Sequence, residues 1–248
     1  MLVSFRQTYG SGREELYEIY FRDRRLQELH NLCDLNVFSF HNCEQRTIDR
    51  FKEKNPIQNV EYLEFEGISY PDTVRQTKEY LKDIGATHFF FTQDDTFIAL
   101  QHNHVDWKEL VDYVRRHDRE FMLNLYHRVD ILYIEDEFFE GEVEELNTFN
   151  VYKSTTLDFY NSDKTPWPMD DTAYFCTMDI LDEIYDEEYF SYGDIWNAEK
   201  FLRRKFGEKE INRFVTDKKI LQNYNLYGKT TYLSGLFRKI LIQNVLYE

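Results

Sequence analysis

Cysteine is scarce in this chain: Cys33, Cys43 and Cys176 are the only 3 in 248 residues. Thiols so few and so scattered exclude a disulfide framework or a zinc site. They read as reduced side chains in a cytosolic-type compartment. Basic residues are also short, with 30 Lys and Arg against 46 Asp and Glu, a formal net charge of −16. A nucleic-acid backbone needs a basic surface, so no nucleic-acid partner is expected. The same shortage makes an unaided grip on a phosphorylated ligand unfavourable and favours a metal cofactor. Long apolar runs are missing too, and nothing approaches the length of a transmembrane helix. Met1 leads almost directly into a strand, without the charged start, apolar run and cleavage site of a secretory leader. We therefore expect a soluble, cytoplasmic protein. No internal repeat, no low-complexity linker and no Gly-rich, Lys-bearing loop near the N-terminus is found.

Aromatic residues, by contrast, make up 17% of the chain and supply bulky material for a core. The first hundred residues alternate between strand-like and helix-like patterns. Leu2 to Phe5 reads as a strand that runs into Arg6-Gln7-Thr8-Tyr9-Gly10-Ser11-Gly12. Ser11 and Glu14 have capping-box spacing, which predicts a helix from there to about Leu32. A strand, a Gly-containing turn and a helix N-terminus together form an anion-receptive place. They also form a plain connection in which Gly10 and Gly12 merely turn the chain. Leu35 to Phe40 and Val60 to Phe65 read as further strands, the latter more exposed. Between them Glu44 to Lys54 is helical, and Pro71 opens a helix through Leu81 that Gly85 ends. The order βαβαβαβ predicts a parallel, doubly wound sheet.

The stretch the chain is built around is HFFFTQDDTFI, His88 to Ile98. Phe89, Phe90 and Phe91 form an apolar run without alternation, the pattern of a strand covered on both faces. It breaks into Gln93, Asp94 and Asp95 where the carboxyl end of a central strand meets a ligand crevice. Adjacent carboxylates repel unless a cation joins them, and a divalent ion with oxygen ligands that bridges to phosphate suits both. Alternation along a strand would put Gln93 and Asp95 on one face and Asp94 on the other. Asp95 is thus the expected metal ligand and Asp94 a hydrogen-bond acceptor on the donor side. The bland reading of two neighbouring Asp residues is a solvated turn.

A strand ending in an Asp-x-Asp-like motif after several βα units resembles the nucleotide-sugar glycosyltransferases of the GT-A fold. Small soluble enzymes of bacteria and large DNA viruses are the nearest look. The match departs from the family pattern at Gln93, where the first Asp often lies. The resemblance implies an α/β fold with a mainly parallel central sheet flanked by helices. It implies one domain, with residues 1–100 binding the donor and 101–248 forming an acceptor-binding half. It further implies a nucleotide-diphosphate sugar as donor, a glycan acceptor, and Mn²⁺ or Mg²⁺ as cofactor. The first βα turn would bring Arg6, Thr8 and Tyr9 to the nucleotide. Arg75 would reach a phosphate, or else pair with a surface carboxylate.

In the second half, Thr165-Pro166-Trp167-Pro168-Met169-Asp170-Asp171 is a stiff, extended stretch. Trp167 beside Asp170 suits a sugar, the ring stacking while a carboxylate takes hydroxyls. Equally, Trp167 plugs the core and an Asp caps the next element. In the resemblance a carboxylate starting an acceptor-side helix is the general base of inverting enzymes. Asp194 takes that role here, with Asp171 and Glu199 in reserve; a simple N-cap accounts for Asp194 as well. Lys229 beside Gly228 would give the diphosphate a countercharge from a closing loop, or stand in water. A second enzyme class, nucleotidyltransfer to sugar phosphates, shares such a sheet and an acidic metal site. A degenerate scaffold that only binds carbohydrate is the non-enzyme alternative.

Overall fold

The computed structural model describes residues 1–10, 14–98, 104–125, 143–155, 173–193, 201, 204–205, 212–216 and 221–223. The chain opens with strand β1 (Leu2–Tyr9), followed by helices α1 (Glu14–Tyr20) and α2 (Arg24–Asn31). The single helix expected to reach Leu32 is thus broken. Asp23 accepts a hydrogen bond from the Leu26 amide (3.0 Å) and starts α2 as its N-cap. A short carboxylate that bonds its own backbone competes with helix continuation, so the chain turns there.

Strand β2 (Leu35–His41), α3 (Gln45–Lys54), β3 (Val60–Phe65), α4 (Tyr70–Asp83) and β4 (His88–Gln93) complete the first half. Ser69 caps α4 through the Asp72 amide, and Gly85, at φ +72°, turns the chain out of it toward β4. β1 lies between β2 and β4, parallel to both, and β3 lines up parallel beyond β2.

A short strand β5 (Thr96–Ile98) then leaves the sheet, and α5 (Trp107–Val114) and β6 (Met122–Asn124) follow. The remaining elements are β7 (Val143–Glu145), β8 (Asn150–Thr155), β9 (Ala173–Thr177), α6 (Met178–Ile184), α7 (Glu187–Phe190), β10 (Asn212–Thr216) and β11 (Leu221–Asn223). The nine-stranded sheet has the order β3-β2-β1-β4-β9-β6-β10-β8-β7, while β5 and β11 form a separate antiparallel ribbon. Within the nine, only β9 and β8 run against the others. The result is a mixed α/β fold with a mostly parallel sheet flanked by helices.

Both faces of the sheet are buried, which explains the unbroken Phe run. Phe90 points to the α1–α2 side and stacks on Phe175 of β9, with ring centroids 4.3 Å apart. Phe89 and Phe91 point the other way, into a cluster with Phe5, Tyr174 and residues of α4 and α6. Alternation is present in β4, but both sides are core, so it leaves no polar trace. Among the described residues no helix is long and apolar enough to cross a membrane.

Candidate functional site: an acidic turn at the rim of the sheet

The carboxyl ends of β1, β2 and β4 lie side by side, and three turns leave the sheet there. After β1, the Gly10 amide donates to the His41 carbonyl at the end of β2 (2.8 Å), with Gly10 at φ +82°. The Cys43 thiol closes back onto the Gly10 carbonyl (3.1 Å). His41 is buried, and its Nε2 lies 2.9 Å from the Ile68 carbonyl. A carbonyl only accepts, so Nε2 carries the proton and ties β2 to the connection before α4. Tyr70, the first residue of α4, donates its hydroxyl to Gln7 Oε1 (3.2 Å). The rim is therefore a set of backbone turns fastened to one another.

The third turn carries the acidic pair. β4 stops at Gln93, and Asp94 and Asp95 form the turn into β5. The expectation that strand alternation would separate their side chains is corrected, because neither residue belongs to a strand. The Asp94 amide donates to the Gln7 carbonyl (2.8 Å), and the Gln93 amide to Thr96 Oγ1 (3.3 Å). These bonds bend the chain away from the sheet at this point. Asp94 is 1% exposed, whereas Asp95 is half-buried.

Arg6 is the main surprise. Instead of opening toward the rim, it is 3% exposed and lies beneath the acidic turn, flanked by the rings of Tyr20 (4.6 Å) and Phe97 (5.5 Å). Its Nη2 donates to the Asp94 carbonyl (2.7 Å) and its Nη1 to the Thr96 carbonyl (3.1 Å). Burial pulls the guanidinium below its ordinary pKa; Tyr20, Asp94, Asp23 and Asp95 act in the opposite direction. Arg6 is expected at the nucleotide, and in this geometry its terminal nitrogens serve the protein's own backbone.

The remaining expected site residues fall into two groups. Thr8 is buried near the end of β1, and the Tyr9 backbone pairs with His41. Arg75 sits on α4 over the Phe190 ring (4.8 Å), 3.4 Å from Asp72 and 4.0 Å from Glu187, which is the surface-pairing outcome. Trp167, Asp170, Asp171, Asp194, Glu199 and Lys229 lie outside the described residues. Among the described residues no group of three or more His, Cys, Asp or Glu side chains gathers as a metal cage. Mg²⁺ and Mn²⁺ are commonly held beside phosphates by one or two carboxylates completed by water and ligand oxygens, and the Asp94–Asp95 turn offers two carboxylates of that chemistry.

Sequence reasoning passed over His41, Tyr70 and Tyr20. Each lies outside any motif, and only spatial closeness to the rim or to Arg6 singles it out. His41 ending an apolar strand was the one available signal.

No protein-family model and no curated protein sequence matches this chain. Solved structures do match, and they show the fold, a GT-A-like mixed α/β arrangement. TarS of S. aureus (residues 1–349), solved in complex with UDP, superposes with a TM-score of 0.53 at 15% identity, over 98% of this chain and 64% of that one. HddC from Yersinia pseudotuberculosis aligns over 96% of this chain and 100% of its own, at 14% identity and a TM-score of 0.50. An apo UDP-glucose pyrophosphorylase gives a TM-score of 0.50 at 11% identity, over 97% of this chain and 99% of its own. At such identities the likeness establishes the fold.

Proposed function

We propose that this protein is a nucleotide-sugar enzyme and, within that class, a metal-dependent glycosyltransferase. It moves a sugar from a nucleotide-diphosphate donor to a hydroxyl of a glycan acceptor. The observation that carries this reading is the acidic turn. Two aspartates sit at the carboxyl end of a central strand, where open α/β sheets take their ligands, in a protein of net charge −16. An anionic protein holds a diphosphate through a cation more readily than by direct contact. Asp95 would hold Mn²⁺ or Mg²⁺, with Asp94, Thr8 and Tyr9 on the donor side and Lys229 closing over the phosphates. When bound, the cation supplies charge neutralisation for the departing diphosphate.

On the acceptor side, Trp167 and Asp170 would hold the sugar. Asp194, or Asp171 in its place, would take the hydroxyl proton within hydrogen-bond reach and away from the leaving group. Nucleotidyltransfer to a sugar phosphate is the second reading. It is favoured by the likeness to HddC and UDP-glucose pyrophosphorylase over nearly their whole lengths. Against it stands the lack of a Gly-rich, Lys-bearing loop near the N-terminus.

The test is a thermal-shift screen of nucleoside diphosphates with and without Mn²⁺. A ligand at a hundred times its Kd adds about 2.7 kcal/mol, or roughly 5–10 °C in Tm for a chain of this size. Shifts that need both nucleotide and metal are expected. Equal shifts with and without chelator would overturn the metal-bridged reading. Release of UDP or GDP from a nucleotide sugar marks the transferase, whereas pyrophosphate released from a nucleoside triphosphate marks the second reading.

A further inference from the structure

Arg6 reaches the rim from the core side, and its two carbonyl partners bracket Asp95. One belongs to Asp94, the residue before it, and the other to Thr96, the residue after it. A planar guanidinium reaches two carbonyls from two nitrogens held in a fixed fork, a geometry that the single nitrogen of an ammonium on a flexible stem does not reproduce. The Tyr20 and Phe97 rings, each within cation–π distance, restrict how far the fork can swing. Burying a guanidinium is unfavourable unless negative groups surround it. Here those groups are the turn's own carbonyls, with Asp94, Asp23 and Asp95 adding their fields. The charge pattern therefore couples Arg6 to this turn in both directions. The arginine needs the turn's negative atoms nearby, and the turn is held where the arginine can reach it.

We propose that Arg6 is a positioning residue, a buried fork that fixes the Asp94–Asp95 turn so that the Asp95 carboxylate is set in advance for a divalent cation and the nucleoside diphosphate it carries. Arg6 acts from beneath and touches no ligand. The inference rests on the reading of Asp95 as metal ligand, and it goes beyond that reading by naming what holds the ligand still. Preorganisation matters because a cation bound by one carboxylate and a phosphate has few protein atoms to hold it.

The experiment measures UDP affinity by calorimetry with Mn²⁺ and with chelator, in the native protein and in Arg6→Met, Arg6→Lys and Phe97→Leu. The ratio of the two affinities is the metal enhancement, which a general loss of stability leaves unchanged in the folded fraction. In Arg6→Met this enhancement is expected to fall by about tenfold or more, as two charge-assisted hydrogen bonds are lost. Arg6→Lys should restore little of it, because it keeps the charge and loses the fork. Phe97→Leu should give an intermediate loss, and it carries the test if Arg6→Met does not fold. Hydrogen exchange of the peptide from Asp94 to Phe97, measured without metal or nucleotide, should speed up in the Arg6 variants. The proposal is overturned if Arg6→Lys keeps the full enhancement with native exchange at the turn, or if Phe97→Leu does so where Arg6→Met cannot be made. If the native protein itself shows no metal enhancement, the metal-bridged reading fails instead, and turn exchange in Arg6→Lys still decides whether the fork orders the turn.

Discussion

The two ends of the sheet are built by different rules. On the β3-β2-β1-β4 side, strands of six to eight residues run parallel and each successive pair is joined through helix. On the β9-β6-β10-β8-β7 side, strands are as short as three residues, directions mix, and spatial neighbours other than β8 and β7 are far apart in sequence. The first side builds a rigid rim whose turns bond to one another. The second attaches to it chiefly through β4, against β9. The difference teaches where the proposed site falls: the acidic turn grows out of the last strand of the regular side, at the seam with the irregular one.

The seam is the most sensitive place. Phe90, fully buried, stacks on Phe175 across it. Phe90→Ala should lower unfolding free energy by about 3–5 kcal/mol in urea titrations, the largest single effect we expect. A loss below 1 kcal/mol would mean that the two sides do not share one core. Asp95→Ala separates stability from function. It should abolish the Mn²⁺-dependent part of UDP binding while moving Tm by only a few degrees, since Asp95 is half-buried in a turn.

On the regular side, Gly85→Ala meets no side chain or backbone within 4 Å but must hold φ at +72°. The left-handed backbone should cost about 1–2 kcal/mol, with nucleotide affinity intact. On the irregular side, Glu109 of α5 accepts bonds from the Asn147 amide (2.8 Å) and from the Thr148 hydroxyl (2.7 Å), anchoring the turn between β7 and β8. Burial tends to raise its pKa, but the Thr148 and Asn147 hydrogen bonds outweigh burial and hold it below its ordinary 4.5. A depressed carboxyl stabilises above its unfolded pKa and loses that contribution as pH falls through the folded one. Glu109→Gln should therefore destabilise by about 1 kcal/mol or less at pH 7, the smallest effect here, and the gap from the native protein should close below pH 4.5 in acid titrations.

Much of the regular side is legible in the sequence. Val60 to Phe65 was read with its final limits, Leu35 to Phe40 fell one residue short, and the helix opened by Pro71 matched α4 closely. These elements repeat local patterns, and a chain window carries them. The sequence locates the acidic turn but not its geometry: strand alternation, carried on past Gln93, runs two residues too far, because nothing local signals that Asp94 bonds back to Gln7. The GT-A resemblance implies a place for Arg6 at the nucleotide, through the first βα turn. The hydrogen-bond partners of Arg6 lie some ninety residues away, in the carbonyls of Asp94 and Thr96, which no local pattern marks.

Composition and spacing were enough to specify an aromatic-rich α/β chain, its leading βα units, and an acidic pair at the end of a doubly buried strand. Those features arise from contacts between near neighbours and from the plain requirement to hide apolar surface. Which strand lies beside which beyond β4, and that a buried arginine grips the acidic turn from below, became settled only when distant segments met. Hydrogen bonds and charge fields act through space, and the linear order of residues does not record those distances.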